Sequence, residues 1–187
     1  MRRAQLEHAI RTACQILDRE EVIVVGSQAI LGTFDEEQLP AVATISREID
    51  ILPIADSEAD VRAMSDLLEG VAGELSMFEE THGFSIDGVD LNTAKLPEGW
   101  RDRLAKVQNA NTAPPGGEPQ FTGWCLEPHD LCVAKLCALR EKDINFVTAL
   151  LDADLVDAAT LVERLSTLTD RHKASADRGL AWLDSRR

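Results

Sequence analysis

The chain has 187 residues, of which 44% are apolar and 28% charged, so it can bury the core of one ordinary domain, and this composition excludes global disorder. Its net charge of −14 produces a field that repels nucleic acid, which excludes a plain DNA-binding module with a basic face. A metal-dependent enzyme that binds nucleotides remains compatible with this charge, because metal ions or a local basic patch can receive the phosphates.

The sequence shows no sign of export or membrane insertion. The first residues lack the apolar stretch of a signal peptide, and no apolar run approaches the ~18 residues that span a bilayer. We therefore expect a cytoplasmic protein without a membrane partner. In that compartment the four cysteines are expected to be reduced core residues rather than disulfides; they are Cys14, Cys125, Cys132 and Cys137.

The first third of the chain alternates between helical and strand patterns. Apolar residues at helical spacing predict an amphipathic helix over residues 3–19. The β-branched run at residues 22–25 predicts a strand buried on both faces, which ends at Gly26. Residues 27–31 then read as the first turns of a helix.

A second strand and a second helix follow. Residues 48–52 predict a strand, and a serine followed three residues later by aspartate predicts a helix over residues 57–70. Two further strand-like pieces are predicted at residues 75–78 and 84–91.

The remainder of the chain predicts helices. Residues 108–120, rich in Asn, Pro and Gly, are the clearest loop or linker. We expect helices at about 128–140, 143–152 and 155–168, followed by a polar tail helix. The predicted organisation is an α/β core over residues 1–107, a linker over 108–120 and a helical region over 121–187.

Gly26 and Ser27 are the first candidate site. A glycine between a strand and a helix lets the backbone approach a ligand closely, and a helix N-terminus with a hydroxyl donor suits phosphate. The alternative is that Ser27 serves only as a helix N-cap.

Glu48 and Asp50 are the second candidate site. Alternation along a strand places both carboxylates on one face, where their mutual repulsion can be relieved by a divalent metal that also bridges phosphate oxygens. The alternative is a solvent-facing polar strand edge. A phosphate-binding turn beside a carboxylate pair supplies the positioning and charge neutralisation that phosphoryl transfer needs.

These motifs resemble the nucleotidyltransferase superfamily, in which Gly-Ser is followed by a carboxylate-x-Asp strand and a further strand acid. Residues 43–50 resemble the segment that leads into the metal-binding strand of that superfamily. Residues 126–131 and 135–143 resemble the helical part of AbiEii-like members, which are toxin nucleotidyltransferases of bacterial toxin–antitoxin and phage-defence systems. The resemblance covers roughly residues 20–150.

The resemblance implies a nucleotidyltransferase-type mixed sheet flanked by helices, followed by a C-terminal helical part. It implies that Gly26 and Ser27 grip the triphosphate of an NTP and that Glu48 and Asp50 hold Mg²⁺ or Mn²⁺. The sequence departs from the family pattern in having Glu48 where Asp is usual and in the long gap of 20 residues between Ser27 and Glu48.

The resemblance also implies a third acid, which completes the metal site and acts as base toward an attacking hydroxyl. Asp90 fits a strand best, and Asp87 is its rival. Lys135 would reach the nucleotide phosphates from the helical part, and Lys142 and Asp143 are weaker candidates whose alternative is an ordinary helix surface.

Two further clusters of side chains can be interpreted either as functional sites or as structural features. A local basic cluster could receive triphosphate or a tRNA-like acceptor, although it could equally be a solvated face; its members are Lys95, Arg101, Arg103 and Lys106. Cys125, His129 and Cys132 lie close together in sequence, but their spacing matches no common zinc pattern, so buried thiols are the better interpretation than zinc binding or a cysteine nucleophile.

The predicted function is a metal-dependent nucleotidyltransferase that moves a nucleoside monophosphate from an NTP to a hydroxyl. The favoured acceptor is an RNA 3′ end such as that of tRNA, with a protein side chain or a small molecule as alternatives. The resemblance further implies a toxin or phage-defence role and an antitoxin partner, while the late helices leave a homodimer open. The runner-up is an inactive binding module with the same fold, and the third reading is an unrelated acidic α/β protein.

Overall fold

The computed structural model describes residues 1–92 and 94–186 and places five strands of those residues in one mixed sheet. The strands are β1 (Glu21–Val25), β2 (Glu48–Pro53), β3 (Ser85–Gly88), β4 (Ala105–Val107) and β5 (Thr122–Cys125). Their order across the sheet is β3-β2-β1-β5-β4. The pairs β1–β5 and β2–β3 are parallel, whereas β1–β2 and β4–β5 are antiparallel.

Helices surround the sheet and dominate the C-terminal part of the chain. They are α1 (Arg3–Leu17), α2 (Glu58–Ala72), α3 (Met77–His82), α4 (Pro128–Ala138), α5 (Glu141–Asp152), α6 (Ala158–Ser166) and α7 (Lys173–Asp184). Short 3₁₀ helices lie at Ser27–Gly32, Ala41–Thr44, Trp100–Arg103, Ala110–Thr112 and Asp170–His172. This mixed sheet with flanking and C-terminal helices confirms the predicted α/β class.

The core is aliphatic and is centred on β1. Val22 to Val25 are all buried, because β2 and β5 flank this strand and helices cover it. Helix α1 packs against β1, β2 and β5, and α2 packs against β2 and β3. Because the sequence holds few aromatic residues, branched aliphatic side chains fill most of this interior, as the composition indicated.

Two predicted strand segments differ in the structure. The strand predicted at residues 75–78 is wrong, because Ser76 accepts a hydrogen bond from the Glu79 amide at 3.2 Å and caps α3. The strand predicted at residues 84–91 is shortened to β3. Gly88, its last residue, lies so close to α2 that a Cβ there would be 2.2 Å from the Ser65 carbonyl oxygen.

The sheet is completed by residues that follow the predicted linker. Residues 108–120 connect β4 to β5, which are antiparallel neighbours in the sheet, so this loop joins two strands of the same sheet. β5 lies within residues 121–187, where only helices were expected, and it pairs with β1. The predicted late helices do form, with α4 in contact with α5, α6 and α7.

Among the described residues, no helix is both long enough and apolar enough to cross a bilayer.

Candidate active site

A cavity of about 370 Å³ opens where β1 ends, between the sheet and the helices α4 and α5. One wall is formed by β1, β2 and β3 and carries acidic side chains. The opposite wall is formed by α4, α5 and the residues that join them, and it carries basic side chains. Residues 131, 134, 135 and 138 follow helical spacing and present one face of α4 to this cavity.

Strand register brings two carboxylates together on the acidic wall. Asp50 on β2 is the direct partner of Asp87 on β3, and Glu48 is the partner of Ser85. Directly paired residues of neighbouring strands point to the same face of a sheet, as do residues two apart on one strand. Glu48, Asp50 and Asp87 therefore share one face, and all three line the cavity.

Gly26 allows the carboxylate of Asp50 to lie against the backbone at the end of β1. Its φ of +65° is left-handed, which most L side chains avoid. A Cβ at this position would lie 1.7 Å from Asp50 Oδ2, so a side chain on residue 26 and the observed position of Asp50 are incompatible. Gly26, which the sequence predicted would let a ligand approach the backbone, is thus also needed to leave room for the Asp50 carboxylate.

Both carboxylates hold protons more tightly than usual. Burial raises the pKa of Asp50 to about 6, and the charge of Asp87 adds to this effect. Burial also raises the pKa of Asp87 to about 6, together with a hydrogen bond to Glu48 and the charge of that residue. A raised carboxylate pKa in a cleft is typical of functional sites. A cation bound between the two aspartates would favour their ionised forms.

The chemistry of the acidic wall fits a magnesium ion. Asp87 Oδ1 is buried and accepts no hydrogen bond within the part of the chain that the structure describes. The described residues contain no group of three or more His, Cys, Asp or Glu side chains arranged to hold a metal. Mg²⁺ requires no such group, because it commonly binds one or two carboxylates and completes its shell with water and substrate phosphates. Asp50 and Asp87 can supply that pair.

The basic wall is built around Lys135, whose ammonium group reaches across the cavity to the end of β1. Lys135 Nζ lies 2.8 Å from Ser27 Oγ and 3.2 Å from Asp143 Oδ1, and it also lies 4.4 Å from the ring centre of Phe146. Burial lowers the pKa of Lys135, and the charge of Asp143 partly offsets this. A lysine beside the serine of a glycine-serine turn is well placed to receive a phosphate oxygen.

Asp143 holds two cations in position. Its carboxylate accepts hydrogen bonds from Lys135 and, at 2.6 Å, from Arg140 Nε. Burial alone would raise the pKa of Asp143, but the hydrogen bond from Arg140 and the charge of Lys135 outweigh it and lower the pKa. Arg140 and Lys142 line the same cavity. The sequence made Asp143 and Lys142 weaker candidates, because only the packing of α5 on α4 brings Asp143 to Lys135.

Ser27 lies at the cavity in a setting that differs from the prediction. Residues 27–32 form a 3₁₀ helix rather than an α-helix. The N-cap residue of this helix is Gly26, so no side chain caps it and Ser27 is not the N-cap. The Ser27 hydroxyl instead contacts Lys135. The structure therefore brings together Gly26, Ser27, Glu48, Asp50 and Lys135 from the predicted set, with Asp87, the rival candidate for the third acid.

Asp90, Arg101 and Arg103 lie away from this cavity. The strand ends before Asp90, whose Oδ1 accepts a hydrogen bond from the Asn92 amide at 2.8 Å, so the expected third acid is replaced in the cavity by Asp87. Arg101 lies over the Trp100 ring, and Arg103 is paired with the buried Asp130 at 2.9 Å.

The other two members of the expected basic cluster also have contacts within the chain. Lys95 donates a hydrogen bond to the Ser175 hydroxyl at 2.7 Å, and Lys106 lies over the Trp124 ring. The four members of the expected basic cluster therefore make one ion pair, one hydrogen bond to a hydroxyl and two contacts with tryptophan rings.

The cysteines behave as buried thiols. Burial raises the pKa of Cys125 and of Cys132 to about 12, which disfavours the thiolate that a nucleophile or zinc ligand requires. His129 lies between Glu127 and Asp157, 2.7 Å and 3.1 Å from their oxygens, in a structural network at the start of α4.

Comparison with known proteins gives one match. A search of curated proteins and a search of solved structures found nothing similar. Residues 4–181, nearly the whole chain, match the family described as nucleotidyltransferase of unknown function, DUF6036. The sheet that carries the acidic wall and the helices that carry the basic wall both fall within the matched residues. The protein therefore belongs to this family of nucleotidyltransferases of unknown function.

Proposed function

We propose that the protein is a magnesium-dependent nucleotidyltransferase that transfers a nucleoside monophosphate from an NTP to a hydroxyl group. One observation carries the proposal: the Asp50–Asp87 carboxylate pair and the Ser27–Lys135 pair face the same cavity. A metal-binding wall and a phosphate-binding wall across a single pocket are the parts that phosphoryl transfer requires.

Asp50 and Asp87 hold the metal, and Glu48 extends the site toward solvent. The buried, unpaired oxygen of Asp87 and the raised pKa values of both aspartates support this assignment. Mg²⁺ or Mn²⁺, when bound, neutralises the developing charge on the phosphate oxygens. Glu48 is exposed and lies on the same strand face as Asp50, so it can bind a second ion or orient coordinated water.

The triphosphate binds between the end of β1 and α4. The Gly26-Ser27 turn and the ammonium group of Lys135 contact its oxygens, and Arg140 and Lys142 add positive charge at the same wall. Lys135 is fixed by Asp143, so little side-chain entropy remains to be lost when the nucleotide binds.

Asp87 acts as the base in place of the expected Asp90. The acceptor hydroxyl gives its proton to the Asp87 carboxylate while its oxygen bonds to the α-phosphorus, and the bond between the α-phosphorus and the bridging oxygen breaks to release pyrophosphate.

The acceptor proposed is an RNA 3′ end, with a toxin or phage-defence role and an antitoxin partner. These finer assignments rest on the likeness of residues 126–143 to AbiEii-like toxins. If the role is correct, production of the wild-type protein in bacteria stops growth, whereas Asp50→Ala does not. Growth arrest by both proteins in equal measure would remove the link between toxicity and this site.

Transfer of labelled NTP provides the direct test. Incorporation into tRNA, total protein or a small hydroxyl acceptor should require Mg²⁺ and fall by roughly a hundredfold or more in Asp50→Ala, since that change removes one metal ligand. Asp90→Ala is the matched control, because Asp90 lies outside the cavity, and it should retain activity. Activity that survives Asp50→Ala would refute the assignment.

The second candidate is a module that binds nucleotide without turnover. It is favoured by Glu48, which stands where the nucleotidyltransferase superfamily that the sequence resembles usually has aspartate, and which is exposed to solvent. Calorimetry with ATP, GTP, CTP and UTP in Mg²⁺ separates the two functions. Tight binding without product in any acceptor assay would favour the module, whereas absence of binding would contradict both candidates.

A further inference from the structure

Exposed apolar side chains concentrate on α2 and on the turn into α3. Of the seven large apolar residues that are exposed within the described ranges, four lie between residues 67 and 77. Isolated exposed apolar residues are normal, whereas a concentration of them is typical of an interaction surface. These four residues, which we name the α2–α3 patch, are Leu67, Val71, Leu75 and Met77.

Leu67 and Val71 form an exposed ridge on α2. They are four residues apart and therefore lie one above the other on the helix surface, away from the buried residues Leu68 and Ala72. A ridge of residues spaced by four is the feature that packs into the groove of another helix. The ridge is thus shaped for a helical partner.

Leu75 is held outward by a strained turn. Its φ of 63° is left-handed, a conformation that most L residues avoid, yet its side chain is 93% exposed. Its amide donates a hydrogen bond to Glu79 Oε2 at 2.7 Å, which fixes the turn. Packing within the chain does not offset this strain, so contact with another molecule is the better reason for a leucine here.

The surroundings of the α2–α3 patch are predominantly acidic. No Lys or Arg occurs from residue 63 to residue 94, whereas seven carboxylates do. Shallow depressions lie on either side of Leu75. One is lined by Glu69 and Glu74, and the other by Glu79 and Glu80 together with a single cation, Arg47, so carboxylates outnumber cations in both. This charge repels nucleic acid and anionic lipid, and it attracts Lys and Arg side chains.

We propose that the α2–α3 patch binds a basic amphipathic helix of a partner protein. The apolar face of that helix would cover Leu67, Val71 and Leu75, while its Lys or Arg residues pair with the surrounding carboxylates. Glu69 lines both a depression beside Leu75 and the active-site cavity, so the partner would lie next to the cavity mouth. The proposal concerns binding and does not depend on the proposed catalytic function.

Binding of a defined peptide tests this surface. The probe is a fluorescent helix of about 18 residues with a leucine face and a lysine face. We expect saturable binding to the wild-type chain that weakens with salt and becomes at least about tenfold weaker in Leu75→Asn and in Val71→Gln. Leu91→Gln, an exposed apolar residue outside the patch, is the matched control and should bind as the wild type does.

Each alternative has its own outcome. Absence of binding, equal binding by all variants, or equal binding of a scrambled Leu/Lys peptide would overturn the proposal. Wild-type dimerisation that is lost in Leu75→Asn would assign the patch to a second copy of the chain, and capture by neutral lipid vesicles would assign it to lipid. Because asparagine tolerates a left-handed φ, Leu75→Asn should match or exceed wild-type stability in urea, so lost binding cannot be attributed to misfolding.

Discussion

The Asp50 carboxylate occupies the space that a Cβ on Gly26 would fill, with only 1.7 Å between that Cβ and Asp50 Oδ2. The backbone turn at the end of β1 and the carboxylate on β2 are therefore fitted to each other. Any side chain on residue 26 must displace the residue that we propose holds the metal.

Gly26→Ala should lower the free energy of unfolding by about 3 kcal/mol, measured by urea denaturation, because it adds a clash to a left-handed backbone strain. Gly83→Ala is the matched control, since Gly83 has a φ of +75° with open space around its Cβ position, and it should cost only about 1 kcal/mol. Equal losses in the two variants would show that Asp50 does not fill the space beside Gly26.

Asp50→Asn should stabilise the metal-free protein at pH 8 by roughly 1–2 kcal/mol. The pKa of Asp50 is raised in the folded state, so the folded protein binds more protons than the unfolded chain between about pH 4 and pH 6, and the wild-type unfolding free energy falls as pH rises through that window. The gain from Asp50→Asn should therefore shrink toward pH 4. Asp90→Asn, at an acid outside the cavity, should show no such pH-dependent gain.

Mg²⁺ should raise the melting temperature of the wild-type protein at pH 8, because the ion relieves the repulsion between Asp50 and Asp87 and binds only the folded state. At a hundred times its dissociation constant the ion would contribute about 2.7 kcal/mol. The shift should disappear in Asp87→Asn and persist in Asp90→Asn. A shift of the same size in both variants would place the metal elsewhere.

Asp143→Ala should cost about 3–5 kcal/mol, because it leaves Lys135 buried without its carboxylate partner. Asp152→Ala provides the comparison: it breaks a surface ion pair with Arg186, in which Asp152 is 64% exposed, and should cost less than about 1 kcal/mol. Denaturation curves for the two variants give the contrast. Similar small losses would mean that Lys135 does not need Asp143 to remain in place.

The sequence by itself determined most of the helices, the two central strands β1 and β2, and the chemistry of individual segments. The buried run ending at Gly26, the alternation that places Glu48 and Asp50 on one face, and the helical spacing through Lys135 are all local patterns, because strand and helix periods are fixed by backbone geometry. These patterns were sufficient for the α/β class and for most residues of the candidate site.

Only the tertiary structure decided which distant residues meet. Asp87 rather than Asp90 faces Asp50 because the register of two parallel strands selects one partner, and a sequence pattern carries no register between strands far apart in the chain. β5 pairs with β1 in the sheet, and Asp143 contacts Lys135. Both contacts join segments that a loop or the end of a helix separates along the chain. Local propensity fixes what each segment can become, whereas the site depends on non-local contacts that form only when the whole core is assembled.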